Sequence, residues 1–148
     1  MGSSPVNFNV TAPQAAGNFG TNNGYGDRLF PGIPGTVFSG QGNNSFVSEV
    51  LTYIEFPTNG TYTMGVNSDD GFRFTLGGAA PKDQFATFVS EFNDGRGAAD
   101  TSARVKITKA GLYAARILWF EGGGGANLEF VERKADGTRA AVNGPGTP

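Results

Sequence analysis

Strict alternation over residues 60–76 limits what this chain can become. Tyr62, Met64 and Val66 alternate with Thr61, Thr63, Gly65 and Asn67, and Phe72, Phe74 and Leu76 alternate with Arg73 and Thr75. A period of two places every second side chain on one face, the signature of a half-buried strand. Between the two runs lies Asn67-Ser68-Asp69-Asp70-Gly71, a tight acidic turn. Asp-Gly is by itself a strong signal for an ordinary hairpin turn. Asp69 beside Asp70 adds a cost that neutral residues would avoid, because the two carboxylates repel. A hard cation, which takes oxygen ligands, would offset that repulsion. The turn therefore reads either as a plain hairpin or as part of a cation site.

The remaining segments supply more strands. Val6, Phe8 and Val10 alternate with Asn7 and Asn9 as a short first strand. Residues 12–35 read as a long glycine-rich loop, with Tyr25, Leu29, Phe30 and Ile33 available to pin it to a sheet. Val37-Phe38 can begin a strand ahead of the turn cluster at residues 39–45. The segment 46–56 is apolar on both parities: Phe46, Val50, Ile54 and Phe56 on one, Val47, Leu51 and Tyr53 on the other. That pattern predicts a strand sandwiched between layers, or one tilted across a barrel. Phe85, Phe88, Val89 and Phe92 obey the i, i+3, i+4, i+7 rule of a helix while sitting among strands, which leaves both open. Val105 and Ile107 mark another strand. Residues 112–120 form a further one, apolar on both faces except at Arg116, and Leu128 and Phe130 open a last one. No internal repeat or long amphipathic helix is visible. The reading is an antiparallel all-β sandwich or barrel of roughly eight to ten strands. It is expected to form one domain over residues 5–142, with residues 1–4 an appended leader and residues 143–148 a linker.

Composition removes whole classes of chemistry. The 148 residues contain no histidine and no cysteine, which excludes Ser/His and Cys/His catalysis, zinc sites of the usual ligand types and disulfides. Lys and Arg number 11 against 13 Asp and Glu, spread evenly, so no basic stripe is offered to nucleic acid. No apolar run approaches the roughly 18–20 residues of a membrane span. With 24 Gly and 13 Phe, the chain has the aromatic side chains that disordered sequences lack, so the glycines read as turns between short strands.

The second unusual stretch is Glu121-Gly-Gly-Gly-Gly-Ala126. Four consecutive glycines cost more backbone entropy on ordering than any alternative. They suit either a flexible hairpin loop or a place where backbone folds sharply and approaches a ligand. Gly60-x-Tyr62 through Asn67-Ser-Asp-Asp-Gly-Phe-Arg-Phe74 resembles the signature of the protective-antigen (PA-14) domain family. Ala110-Gly-Leu-Tyr113, Arg116-Ile-Leu-Trp-Phe-Glu121 and Gly124-Gly-Ala126-Asn-Leu-Glu-Phe130 resemble its second half, in the same order and spacing. The clear match covers residues 46–131.

The resemblance implies a β-sandwich used as a module in adhesins, glycosidases, toxins and large secreted proteins. In its lectin members two neighbouring aspartates joined by a cis peptide bind calcium, and the ion binds sugar hydroxyls. Asp69 and Asp70 match those positions. The loop from Glu121 to Ala126 corresponds to the second calcium loop, with Gly123 and Gly124 placed to offer carbonyls and Gly125 to leave room for a sugar ring. Its side-chain ligand is an asparagine in fungal adhesins, and here Glu121 and Asn127 are the candidates. Trp119, Tyr25 and Tyr53 are possible aromatic platforms, each also readable as core. Arg73 is placed either to reach a sugar or to steady the acidic turn, and Arg116 to pair with a buried carboxylate. Asp94 and Asp100, on expected loops, carry no mark of catalysis, and adjacent carboxylates on one turn are poorly placed as a glycosidase pair. The expectation is a non-catalytic, calcium-dependent carbohydrate-binding module, monomeric when excised, from an extracellular or cell-surface protein. A spacer domain without sugar binding, or a protein-interaction module, is the competing reading.

Overall fold

The structure, a computed structural model, describes residues 5–9 and 45–144. The expected leader, the loop over 12–35 with its Tyr25, the strand start at Val37-Phe38 and the last four residues of the expected linker lie outside them. Nine strands are present among the described residues: β1 (Asn7–Asn9), β2 (Phe46–Phe56), β3 (Gly60–Asp69), β4 (Phe72–Leu76), β5 (Thr87–Phe92), β6 (Ala99–Ile107), β7 (Gly111–Glu121), β8 (Asn127–Arg133) and β9 (Arg139–Ala141). They form two antiparallel sheets. Sheet A runs β1-β8-β3-β6, with β9 also on β8, and sheet B runs β2-β7-β4-β5.

The alternation read from the sequence now has a physical object. Met64 and Val66 of β3, with Leu128 and Phe130 of β8, face Phe72 and Phe74 of β4 and Ile117 and Trp119 of β7 in one buried core. Phe74 of sheet B meets Phe130 of sheet A edge to face, with centroids 4.9 Å apart, which ties the two layers together. Burying a Phe side chain of this kind is worth about 1.5–3 kcal/mol, so this layer of rings is the main source of cohesion.

Two expectations are corrected, and one left open is decided. The first concerns the acidic turn, which is not a hairpin. β3 pairs with β6 and β8, while β4 pairs with β5 and β7, so the chain crosses from one sheet to the other between Asp69 and Phe72. The strand itself runs on through Asn67 and Ser68 to Asp69, which shortens the turn to Asp70 and Gly71. Secondly, β2 is not sandwiched between layers. Ile54 and Phe56 point into the core, whereas Val47, Leu51 and Tyr53 stand exposed on the outer face of sheet B. Apolar residues on both parities therefore did not mean burial on both faces. The choice left open at Phe85, Phe88, Val89 and Phe92 falls to the strand, since residues 87–92 form β5 with no helix. The pairing of β4 with β5 shifts register between Phe74 and Thr75, which face Ser90 and Phe88. Val89 is the extra residue of this bulge, so the alternation restarts there and mimics helical spacing.

Arg116 does find a carboxylate, but a partly exposed one. Its Nε donates to Glu49 Oε1 at 2.6 Å on the outer face of sheet B, where Glu49 also takes Lys82 at 2.9 Å. Asp100 lies within β6, not on a loop, and accepts from Asn67 Nδ2 at 2.7 Å and from Arg139 at 2.6 Å.

Candidate functional site

Three sheet-to-sheet crossings meet at one end of the sandwich. They are Asp70-Gly71 between β3 and β4, residues 93–98 between β5 and β6, and residues 122–126 between β7 and β8. Register fixes the coincidence, because Ser68 faces Ala99, Asp69 faces Asn127, and Phe72 faces both Phe92 and Trp119.

Asp70 is the staple of this end. Its Oδ1 accepts the Arg96 N–H at 2.8 Å and its Oδ2 accepts the Gly122 N–H at 2.8 Å, so one carboxylate holds the other two crossings. The Asp69–Asp70 peptide is cis, as the resemblance implies. The Ser68 hydroxyl donates to the Asp70 carbonyl at 2.6 Å, and Trp119 Nε1 donates to the Asp69 carbonyl at 3.2 Å. Trp119 is fully buried, so it supports the turn from beneath and offers no ring to a ligand. Tyr53 is exposed but stands well down β2, opposite Ala114.

The glycine loop does approach the acidic turn. A Cβ on Gly122 would come within 3.2 Å of Asp70 Oδ2, and one on Gly125 within 3.0 Å of Asp69 Oδ2. Gly124 has φ of +100°, a left-handed conformation that glycine adopts at least cost. The absent side chains are what let this backbone close over the carboxylates.

Glu121, the last residue of β7, shares the inward parity of Trp119 and is only 1% exposed. Oxygen atoms from Asp69, Asp70 and Glu121 all lie within 4.8 Å of one another. Neither Glu121 carboxylate oxygen has a hydrogen-bond partner, and neither has Asn127 Oδ1. Asn127 is buried opposite Asp69, its Nδ2 spent on Asn67 Oδ1 at 2.7 Å. A buried polar atom left unpaired costs about 1–3 kcal/mol, more when charged. Burial, followed by the charges of Asp70 and Asp69, pushes Glu121 up to about 7, and a backbone contact with Gly123 offsets only part of this. Asp69 is raised as well, by burial and then by Asp70, with partial relief from the Ala98 amide and the Arg96 charge. The arrangement is an all-oxygen donor set short of positive charge, which suits a hard cation.

Arg96 is the participant that the sequence did not mark. Its Nε donates to the Ser68 carbonyl at 3.1 Å, Nη2 to Ser68 Oγ at 2.7 Å and Nη1 to Thr101 Oγ1 at 2.8 Å. The guanidinium also lies 4.2 Å from the Phe92 ring centroid. The only signal was an arginine among the glycines of Asn93-Asp-Gly-Arg-Gly97. Arg73, by contrast, is held away from the acidic turn on the outer face of sheet B, paired with Glu91 at 2.9 Å.

An antiparallel sandwich whose crossings gather acidic and glycine-rich loops at one end defines the class of this domain. The chain belongs to the PA14 domain family, whose model matches residues 35–145. It is similar in structure to the "PA14 sugar-binding domain from RTX adhesin", at TM-score 0.53 and 23% identity, covering 67% of this chain and 51% of that one. The PA14 domain of the MpAFP antifreeze protein gives TM-score 0.53 at 20% identity, over 67% of this chain and 49% of that one. The Epithelial Adhesin 6 A domain from Candida glabrata, solved in complex with Galb1-3GlcNAc, gives 0.59 at 15%, over 95% and 63%. At these identities the likeness establishes the fold. The chain spans about half the length of the first two structures. No curated protein matches it.

Proposed function

We propose that this domain binds carbohydrate through a calcium ion held between the Asp69–Asp70 turn and the Glu121–Ala126 loop. The observation that carries the reading is the convergence of three carboxylates within 4.8 Å, with both Glu121 oxygens buried and unpartnered. Asp69, Asp70 and Glu121 would hold the ion, with Asn127 Oδ1 and the carbonyls of Gly123 and Gly124 completing an oxygen set. Calcium takes six to eight such oxygens and can take vicinal sugar hydroxyls among them. Gly125, bare of a side chain, leaves the room beside Asp69. The sugar-bound adhesin fold and the sugar-binding domain among the structural neighbours support the ligand class. In this reading the domain serves as a module of a larger secreted or cell-surface protein and works as a monomer.

Binding proceeds without catalysis. A glycosidase pair must flank the scissile bond at about 5–10 Å, and Glu121 is buried where no leaving group reaches it. One observation favours a spacer instead: both Asp70 oxygens already accept backbone amides, which accounts for Asp70 as a loop staple. That role leaves Glu121 and Asn127 Oδ1 unexplained, whereas a cation accounts for both.

Melting with calcium and then with chelator tests the ion. A ligand at a hundredfold excess over its Kd stabilises by about 2.7 kcal/mol. No shift in melting temperature sinks the calcium site. A glycan array run with wild type and Asp70→Asn tests the sugar, and equal binding by both removes Asp70 from recognition.

A further inference from the structure

We infer that a cleft in sheet A, at the end of the sandwich remote from the acidic loops, binds the sulfate or carboxylate groups of an acidic polysaccharide without calcium. The inference is independent of the cation site above. From Thr63, at the cleft, to Asp69 the strand β3 rises roughly 20 Å at about 3.3 Å per residue. The cleft has a volume of about 550 Å³, and its lining includes Thr58, Thr61, Thr63, Arg104, Arg133 and Lys134.

Strand register explains both the opening and its charge. β3 pairs with β6 as far as Gly60, which faces Ile107, but with β8 only as far as Thr63, which faces Arg133. After Arg133 the chain leaves the sheet in a turn, where the Lys134 N–H donates to the Thr138 carbonyl at 2.8 Å and the Gly137 N–H to the Lys134 carbonyl at 3.0 Å. β8 therefore peels away from β3 and leaves the cleft between residues 60–63 and 132–135. Thr63 also faces Arg104, so Arg104, Thr63 and Arg133 form one row across β6, β3 and β8, and Lys106 faces Thr61 in the next row. Tyr62, Met64 and Val105, of the opposite parity, pack toward the core, so this row projects from the outer face. Basic residues dispersed in the sequence are gathered by pairing.

The gathered charge is not neutralised. Arg104, Lys106 and Arg133 are exposed and have no hydrogen-bond or ion-pair partner among the described residues. The other described arginines are all engaged: Arg73 with Glu91, Arg96 with Ser68 and Thr101, Arg116 with Glu49, and Arg139 with Asp100. Lys134 is paired with Glu132. Two strand spacings, about 10 Å, separate the backbones of Arg104 and Arg133. An oxyanion between them would take donors from two guanidinium forks and from the Thr63 hydroxyl, relieving the repulsion of two like charges. Cations stand on both lips of the cleft and Lys106 extends them by a row, so a chain with repeated anionic groups meets several at once. A membrane surface fits less well, because the exposed Val47, Leu51 and Leu112 stand on sheet B and leave this face without apolar anchors.

Binding measured in chelator, so that the cation site takes no part, tests the cleft. The probes are dextran sulfate and polygalacturonate, with uncharged dextran, phosphatidylglycerol vesicles and a single-stranded DNA oligonucleotide as comparisons. Wild type is expected to bind at least one of the two acidic polysaccharides and not dextran. Arg104→Gln and Arg133→Gln each weaken that binding about tenfold, the loss of a charge-assisted hydrogen bond, with melting temperature unchanged because neither side chain holds a partner. Arg73→Gln removes the same charge from the outer face of sheet B and should leave affinity within about twofold. Binding of neither acidic polysaccharide overturns the inference, and so does an equal loss in Arg73→Gln, which would reduce the effect to net charge. Tighter binding of the vesicles or the oligonucleotide than of either polysaccharide overturns the assignment of the ligand. Each of these outcomes leaves the calcium site untouched, since calcium is absent throughout.

Discussion

Glu121→Gln removes a charge without removing the shape, and its effect should change sign with calcium. Burial and the two aspartates raise the Glu121 carboxyl from 4.5 to about 7. A raised acid binds its proton more tightly in the folded chain than in the unfolded one. Its penalty is therefore absent below about 4.5, grows as pH rises, and is complete above about 7. At about 1.36 kcal/mol per pH unit, the interval from 4.5 to about 7 corresponds to roughly 3 kcal/mol of lost stability at pH 8 without metal. The glutamine amide brings two donors that also need partners, at a cost of about 1–2 kcal/mol. The net gain for the variant at pH 8 in chelator is then about 1–2 kcal/mol. For a domain of this size that is roughly 2–8 °C in Tm. At pH 4 the carboxyl is largely protonated in both states, so the gain vanishes and only the amide cost remains. Thermal melts of both proteins at pH 4 and pH 8, in chelator and in millimolar calcium, give the comparison. In calcium the wild type should overtake the variant. A variant no more stable at pH 8 than at pH 4, relative to wild type in chelator, refutes the reasoning about Glu121.

Arg96→Met should cost about 2–4 kcal/mol in denaturant unfolding and weaken calcium binding, because three side-chain hydrogen bonds to Ser68 and Thr101 go with the guanidinium. Arg96→Lys should recover little of this, since a point charge cannot reproduce the fork. Gly125→Ala places a methyl 3.0 Å from Asp69 Oδ2, and calcium titration should show affinity reduced about tenfold, with stability in chelator changed by less than about 1 kcal/mol. Phe74→Ala, at a fully buried position against Phe130, should cost about 3–5 kcal/mol in urea unfolding while leaving the calcium-induced shift of the folded fraction in place.

The sandwich was legible because alternation is a local property: Met64 and Val66, or Phe72 and Phe74, declare a buried face whatever they pair with. Partnership is not local, and this hid the character of the Asp69–Asp70 turn. Two strands separated by Asp-Asp-Gly look like a hairpin, and nothing in their pattern says that β3 joins β6 and β8 while β4 joins β5 and β7. The same limit misled the reading of β2, where Val47, Leu51 and Tyr53 are apolar yet face outward. Trp119 was read as a possible ligand platform because sequence gives an aromatic's position but not its depth. The glycine run was readable, since four costly glycines together need a reason. Arg96 was not, because its contacts reach Ser68, distant by 28 positions in the chain.

The crossings also explain why the acidic site sits at this end. A loop that passes between sheets leaves the ladder, so its backbone groups need other partners. Asp70 supplies them to two loops at once through the amides of Arg96 and Gly122. Arg96 returns the support by holding the Ser68 carbonyl and hydroxyl immediately before the acidic pair. The carboxylates are thus part of how the sheets are joined, and Asp69 and Asp70 could be retained on that ground alone. Glu121 cannot. It ends a strand, has no partner for its carboxylate beyond a backbone contact with Gly123, and is raised by burial and by the aspartates it stands beside. A neutral residue of similar size would close the core at lower cost, so the argument for a bound cation rests on Glu121 more than on the aspartates that first suggested it.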